Sequence, residues 1–272
     1  MRAQLFPLSK WCLVVLFHMT GCASHTEPNP SFSLTVKQAR ADLKQMAQQP
    51  VTLERPVIVL GGYGDPGIIA DILAGELRKA TGDDRIEGIS FPFHTKFDQC
   101  RATLLEKIQK RFPGNDPRQT IEVDVVAVSM GSLVARYAAM PGAEDEDRVR
   151  LRVVRLFTIG GPHRGAEMAS VPTLDQLIID MRPGSQFLAT LDEQLPAAGY
   201  TLYPYARLDD TIVGEQNAAP PGQRVWWVPN TPLAEGHLSA SGDARIIADI
   251  ARRLRGETPY TTEPRAPLPV DE

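Results

Sequence analysis

The segment Ile121 to Ala139, IEVDVVAVSMGSLVARYAA, constrains this chain more than any other stretch. Ile121 to Val128, IEVDVVAV, reads as the strongest strand in the chain. Met130 to Ala139 reads as a helix directly after it, with only Ser129 between the two. A chain that turns from strand to helix so sharply needs small residues two positions to either side, or the turn clashes with the adjoining backbone. Ala127 and Gly131 meet that need. Such a turn holds the serine hydroxyl clear of the sheet and at a helix N-terminus, where backbone N–H groups favour developing negative charge. Serine is also a common helix N-cap, so Ser129 has two readings at this point, cap or nucleophile.

The rest of the chain repeats the alternation. Strands are expected at Pro56–Leu60, Ile86–Phe91, Val149–Ile159, Tyr200–Arg207 and Arg224–Val228. Helices are expected at Val36–Gln48, Ile68–Ala80, Phe97–Phe112, Thr173–Met181, Ser185–Leu191 and Leu238–Leu254. This order calls for an α/β fold, a mostly parallel sheet with helices on both faces. With 272 residues, 43% of them hydrophobic, the chain can bury one sizeable core, and one domain over 51–255 is expected. Residues 256–272 are Pro-rich and acidic and are expected to form a disordered tail. A net charge of −4, without a basic block, argues against nucleic acid as a partner.

In parallel sheets ligands bind beyond the carboxyl ends of the strands, so chemistry is sought where strands stop. VIVLGGYGDP, Val57 to Pro66, ends in closely spaced glycines that let backbone N–H groups approach a ligand. It lacks the Lys-Ser/Thr of a phosphate-binding loop. If Ser129 attacks an acyl carbon, the N–H groups of Met130 and Tyr63 are the candidates to hold the oxyanion. The serine then needs a base, and the base an orienting acid. Among five histidines only His237 falls late in the chain, in Glu235-Gly236-His237-Leu238, giving the order Ser, acid, His. For the acid, Asp210 is the choice, with Asp209 behind it and Glu167 a distant third; either aspartate could equally be a turn-former. The histidines are scattered and no HExxH or CxxC spacing occurs, so neither metal nor cofactor is implied. Of three cysteines, Cys100 alone lies in the body of the chain, in a helix-like stretch where a thiol packs as a small hydrophobe.

The N-terminus reads as an address. Arg2 and Lys10 precede the short apolar run Trp11 to Met19, too short to span a bilayer. Met19-Thr20-Gly21-Cys22 resembles the lipobox at which lipoprotein signal peptides are cut. The resemblance implies that residues 1–22 are a signal peptide and that Cys22 carries acyl chains. An ordinary cleaved signal with an incidental cysteine is the alternative. Residues 23–50 then form a tether and a leading helix. Ala23, not Asp, follows the cysteine, which favours the outer membrane by analogy with enteric lipoproteins.

At four places the chain resembles the α/β-hydrolase lipases, in the branch that includes bacterial lipase-like proteins and GPI inositol-deacylases. VDVVAVSMGSLVARY is similar to their nucleophile segment, with Ala127 for the usual Gly. VIVLGGYG is similar to their oxyanion segment, with Gly61 where His is common. TIGGPHRGA, Thr158 to Ala166, resembles their TxGTPHxG segment, and DDTIV with the later GHL resembles their acid and base segments. The resemblance spans roughly Pro56 to Arg255. It implies an α/β-hydrolase fold with a small or absent lid, and hydrolysis of carboxylic esters through an acyl-enzyme, with Ser129, Asp210 and His237 as triad. It also implies that His163 shapes a loop beside the site and that Met181 to Leu191 borders the acyl pocket. An acyl-ester or lipid substrate and a membrane reached through a lipid anchor are the expected partners; the sequence is silent on oligomeric state. An acyltransferase or phospholipase on the same fold, or a non-catalytic lipoprotein that binds acyl ligands, are the competing functions.

Overall fold

The computed structural model describes residues 34–141, 149–230, 235–264 and 268. Residues 1–22, with the expected lipidation site Cys22, and the tether up to residue 33 lie outside the described residues.

The described chain builds a six-stranded parallel sheet: β1 (Val57–Leu60), β2 (Ile86–Ile89), β3 (Gln119–Val128), β4 (Arg150–Ile159), β5 (Thr201–Arg207) and β6 (Trp226–Val228). Their order across the sheet is β2-β1-β3-β4-β5-β6. The helices α1 (Val36–Ala47), α2 (Ile68–Thr81), α3 (Phe97–Arg111), α4 (Met130–Ala139), α5 (Gln176–Asp180), α6 (Gln186–Gln194), α7 (Gly236–Ala240) and α8 (Ala244–Leu254) complete it. Side chains alternate across a strand, and both faces here are covered. Ile58 and Leu60 of β1 join Val125 and Ala127 in a core under α3, α4 and α6. Val57 and Val59 join Val126, Val128, Phe157 and Tyr205 in a second core under α2 and α8. Two-sided burial is why VIVL of β1 reads as an unbroken apolar run. Asp124 interrupts β3 and is fully buried, but Arg155 on β4 donates to both its carboxylate oxygens, at 3.0 and 2.5 Å. The sheet order and the strand–serine–helix junction at its centre are those of the α/β-hydrolase fold.

The structure corrects three expectations. The closing helix over Leu238–Leu254 is two helices. Asp243 caps α8 by accepting the Arg245 N–H at 2.9 Å, so the chain turns at 241–243 and α7 is set apart from α8. Residues 256–264 are not a disordered tail. The Trp226 indole N–H donates to Thr261 at 3.1 Å, the Tyr260 N–H donates to Asp249 at 3.2 Å, and Tyr260 lies under the Arg252 guanidinium. Finally, Met181 to Leu191 does not border the cleft. Phe187 stacks on Phe97 at 4.1 Å, and Leu188 and Leu191 enter the core under α3 and α4. The segment between β4 and β5 thus packs along the body of the domain. The turn at Gly160 that follows β4 and the limb at 167–175 are the parts of it that come near the site.

Candidate active site

Ser129 has φ 51° and ψ −126°, a conformation costly to any residue with a Cβ. Close packing holds it there. A Cβ on Gly131 would lie 2.7 Å from the Gly61 carbonyl oxygen and 2.9 Å from Leu60 Cβ, so only glycine fits. Ala127 is fully buried between Leu60 and Thr158 of the flanking strands. The Ser129 side chain makes no capping bond to α4; its Oγ lies 3.0 Å from His237 Nε2. This hydroxyl therefore does not serve as the cap of α4.

His237 stands on α7, 108 residues further along the chain. Glu235 caps that helix by accepting the N–H groups of His237 and Leu238, at 2.9 and 2.6 Å. On the other side of the ring, Nδ1 is 2.8 Å from Asp210 Oδ2. Asp210 Oδ1 accepts the N–H groups of Ile212 and Val213, at 3.1 and 2.8 Å. Burial opposes the charge on Asp210 more than any other single influence. The His237 bond and the two backbone N–H groups together outweigh it and hold the carboxyl below its ordinary value. An ionised Asp210 can only accept, so Nδ1 carries a proton toward it and Nε2 faces Ser129 Oγ. Asp209, the second candidate acid, has φ 60°, is exposed and takes the Asn230 amide at 3.0 Å: it makes the turn. Glu167 is exposed and lies against Gly214.

Tyr63 and Met130 flank the serine from two elements. Met130 opens α4, so its N–H has no acceptor within the helix. The Gly62 backbone runs against Ser129: a Cβ there would lie 3.1 Å from Ser129 Cβ. The Gly62 carbonyl accepts the Asp65 N–H at 3.3 Å, and a trans peptide then directs the Tyr63 N–H the opposite way, out of the turn. The turn is clamped by Asp65, which accepts from Ser90 Oγ at 2.8 Å and from the N–H groups of Gly67, Ile69 and Ala70, each at 3.1 Å. The clamp also accounts for glycine at position 61: a Cβ there would meet Asp65 Oδ2 and Ser90 Oγ at 2.3 Å.

Several contributors were not singled out from the sequence. Gly160, at φ 58°, lies directly behind the acid–base pair, where a Cβ would be 3.1 Å from His237 Nδ1 and 3.4 Å from Asp210 Oδ2. Gly236 lets the His237 turn sit on the backbone of Asp209 and Asp210. Asp175 accepts the Tyr63 hydroxyl at 2.7 Å and ties the limb at 167–175 to the oxyanion turn. The signal for the two glycines was present in GGP after β4 and in EGH before α7. The Asp175 contact spans 112 residues and had none. His163 is buried behind the site, between Arg136 at 3.2 Å and Thr158 at 3.0 Å. Burial first, then the nearby Arg136 and Arg164, hold it neutral. Cys100 is buried, and burial pushes its thiol up to about 12, which removes it as a nucleophile.

Ser129 and His237 open into a cleft of about 470 Å³. Its walls are largely apolar, from Pro66, Ile68, Ile69, Val128, Ile212 and Leu238. A hydroxyl with an imidazole on it, a carboxylate behind, and backbone N–H groups nearby can attack an acyl carbon and hold the resulting oxyanion.

No protein-family model matches the chain, and no curated protein matches it in sequence. Solved structures similar to it include the mature lipase BlEst2 of Bacillus licheniformis, at 15% identity and TM-score 0.49 over 71% of this chain and 89% of that one. A gene product of Listeria innocua is 16% identical, with TM-score 0.49 over 77% of this chain and 96% of that one. Phospholipase PlaB of Legionella pneumophila is 10% identical, with TM-score 0.45 over 60% of this chain and 44% of that one.

Proposed function

We propose that this chain is a serine hydrolase that cleaves carboxylic esters through an acyl-enzyme, with Ser129 as nucleophile, His237 as base and Asp210 as the acid that orients it. The observation that carries this reading is the unbroken line Ser129 Oγ, His237 Nε2, His237 Nδ1, Asp210 Oδ2, with links of 3.0 and 2.8 Å, opening into an apolar cleft. In the first half-reaction His237 Nε2 takes the Ser129 proton as Oγ bonds to the ester carbonyl carbon. The carbonyl oxygen becomes an oxyanion held by the N–H groups of Tyr63 and Met130. As it collapses, the carbon–oxygen ester bond breaks and His237 returns the proton to the departing alcohol. In the second half-reaction water loses a proton to His237 and attacks the acyl carbon. The acid is released, and Ser129 regains its proton. Asp210 stays ionised throughout and stabilises the imidazolium that forms in each half.

The apolar cleft supports an acyl chain on the substrate. The reading of residues 1–22 as a lipoprotein signal supports export and attachment of Cys22 to the cell envelope, with the outer membrane favoured. Two measurements test this function. Turnover of acyl esters of rising chain length, with Ser129→Ala and His237→Ala alongside, tests the hydrolase; full activity in Ser129→Ala would rule it out. Incorporation of labelled palmitate into the expressed chain, lost in Cys22→Ser, tests the anchor separately.

A further inference from the structure

Every exposed large apolar side chain among the described residues lies at one end of the domain. Tyr63, Ile68 and Ile72 follow β1, Phe93 follows β2, Met168, Val171 and Leu174 follow β4, and Leu238 follows β6. In a parallel sheet all of these stand beyond the carboxyl edge, the end at which the cleft opens. Tyr63, Ile68 and Leu238 line the cleft itself, while Leu174 and Phe93, 99% and 93% exposed, stand outside it. Scattered single apolar residues are ordinary on a surface. Their confinement to one end, around one opening, marks a surface that meets something apolar.

The described chain also begins at this end. α1 runs alongside α8 in the same direction. Ala39 packs with Ala244 and Ala248, Asp42 pairs with Arg252 at 2.7 Å, and Arg255 donates to the Gln49 carbonyl at 2.8 Å. α8 starts just after Ser241, a residue of the cleft wall. Leu34, ahead of α1, therefore lies at the end of the domain where the cleft opens. Cys22 precedes Leu34 by 12 residues, a reach of about 40 Å at full extension.

We infer that the cleft end of this domain is a membrane-docking face, and that its occupant is the phospholipid bilayer; the inference rests on the reading proposed above that lipidation of Cys22 anchors the chain there. A tether leaving the cleft end, of a length comparable to the domain, holds the apolar ring against the bilayer surface. Acyl groups on Cys22 supply the lasting attachment, and the ring sets the orientation, with the mouth of the cleft facing the lipid. The binding is apolar, so it is insensitive to salt.

The test is orientation, read on the full chain bound to vesicles of phosphatidylcholine and phosphatidylethanolamine whose acyl chains carry bromine. Leu174→Trp puts a fluorophore on the ring. Asn115→Trp puts one at the opposite end, in the exposed turn between α3 and β3. Trp226 and Trp227 are buried, and Trp11 of residues 1–22 is common to both variants, so the background is the same in both. Leu174→Trp is expected to lose most of its added emission on brominated vesicles, at low and at high salt, and Asn115→Trp to lose none. A Ser129→Ala background gives the same result, because docking does not depend on turnover. Without the anchor, in Cys22→Ser, the double variant Phe93→Asp/Leu174→Asp is expected to partition onto vesicles about tenfold less than its parent. Equal quenching at both positions, quenching at Asn115→Trp alone, or no binding to vesicles would overturn the inference. So would a solution dimer that Leu174→Asp dissociates, since the ring would then be an interface between two copies.

Discussion

Replacing Gly236 by alanine adds one methyl group at the seam between the His237 turn and the Asp210 turn. The new Cβ would lie 2.4 Å from the Asp209 carbonyl oxygen, 2.5 Å from its carbon and 2.6 Å from the Asp210 nitrogen. All three are backbone atoms, so no rotamer change relieves the overlap. An ordinary carbon–oxygen contact is about 3.5 Å, and the two turns must therefore part by about 1 Å. The bond from His237 to Asp210 crosses the same seam at 2.8 Å. Opened by about 1 Å it is no longer a hydrogen bond. Overpacking of this kind costs about 1–3 kcal/mol, and displacement of a reacting group by about 1 Å costs on the order of 10²-fold in rate. Turnover of a short soluble p-nitrophenyl ester by Gly236→Ala is thus expected to fall about a hundredfold in kcat, with a lowered Tm. Gly75→Ala is the control. It lies within α2 with open space where a Cβ would go, and the change should stabilise the protein by about 0.5–1 kcal/mol and leave kcat unchanged. Wild-type kcat in Gly236→Ala would refute the reasoning that this seam sets the position of the base.

Three further outcomes follow from the same geometry. Ser129→Gly should abolish turnover yet raise Tm by a few degrees, because releasing the strained φ of 51° returns about 1 kcal/mol; a lowered Tm in differential scanning calorimetry would contradict this. Tyr63→Phe removes the hydroxyl that ties the oxyanion turn to Asp175, and kcat should fall about fivefold with KM little changed; a change in KM alone would assign that bond to substrate binding instead. Asp65 and Asp210 both titrate below the usual 3.8 when folded, because hydrogen bonds to each outweigh the opposing effect of burial. The unfolded chain therefore takes up these protons first as acid is added. Their contribution to stability is complete above the ordinary carboxyl value and is lost as pH falls through the lower folded values. Urea midpoints should fall from about pH 4 downward, and fall less steeply in Asp65→Asn; an unchanged slope in that variant would count against the clamp.

What could be read from the sequence was what short-range chemistry dictates. β1 is legible because burial on both faces leaves an unbroken apolar run, β3 because its apolar β-branched residues dominate despite Glu122 and Asp124, and the junction at Ser129 because Ala127 and Gly131 are the small residues such a turn requires. The parallel sheet with helices on both faces followed from the alternation. The closing helix was read as one because its apolar period runs on past 241–243, although Asp243 carries an N-cap signal. The end of the chain reads as a tail because it is Pro-rich and acidic, which says nothing of the Trp226 indole and Asp249 carboxylate that pin residues 260 and 261. Asp210 and Asp209 are adjacent and alike in sequence. What separates them is a backbone angle, since Asp209 at φ 60° turns outward and leaves Asp210 facing His237. Gly160 and Gly236 are needed for contacts across the fold, and the Tyr63–Asp175 bond joins segments with no local sign of each other.

The central claim is that Ser129 is an activated nucleophile. The most direct measurement incubates the protein with a fluorophosphonate, which bonds to a serine oxygen only where a base draws off its proton, and locates the adduct by mass spectrometry. The account predicts one adduct, on Ser129, absent in Ser129→Ala and formed far more slowly in His237→Ala. Folded protein that takes up no label, or that labels at the same rate without His237, would contradict it.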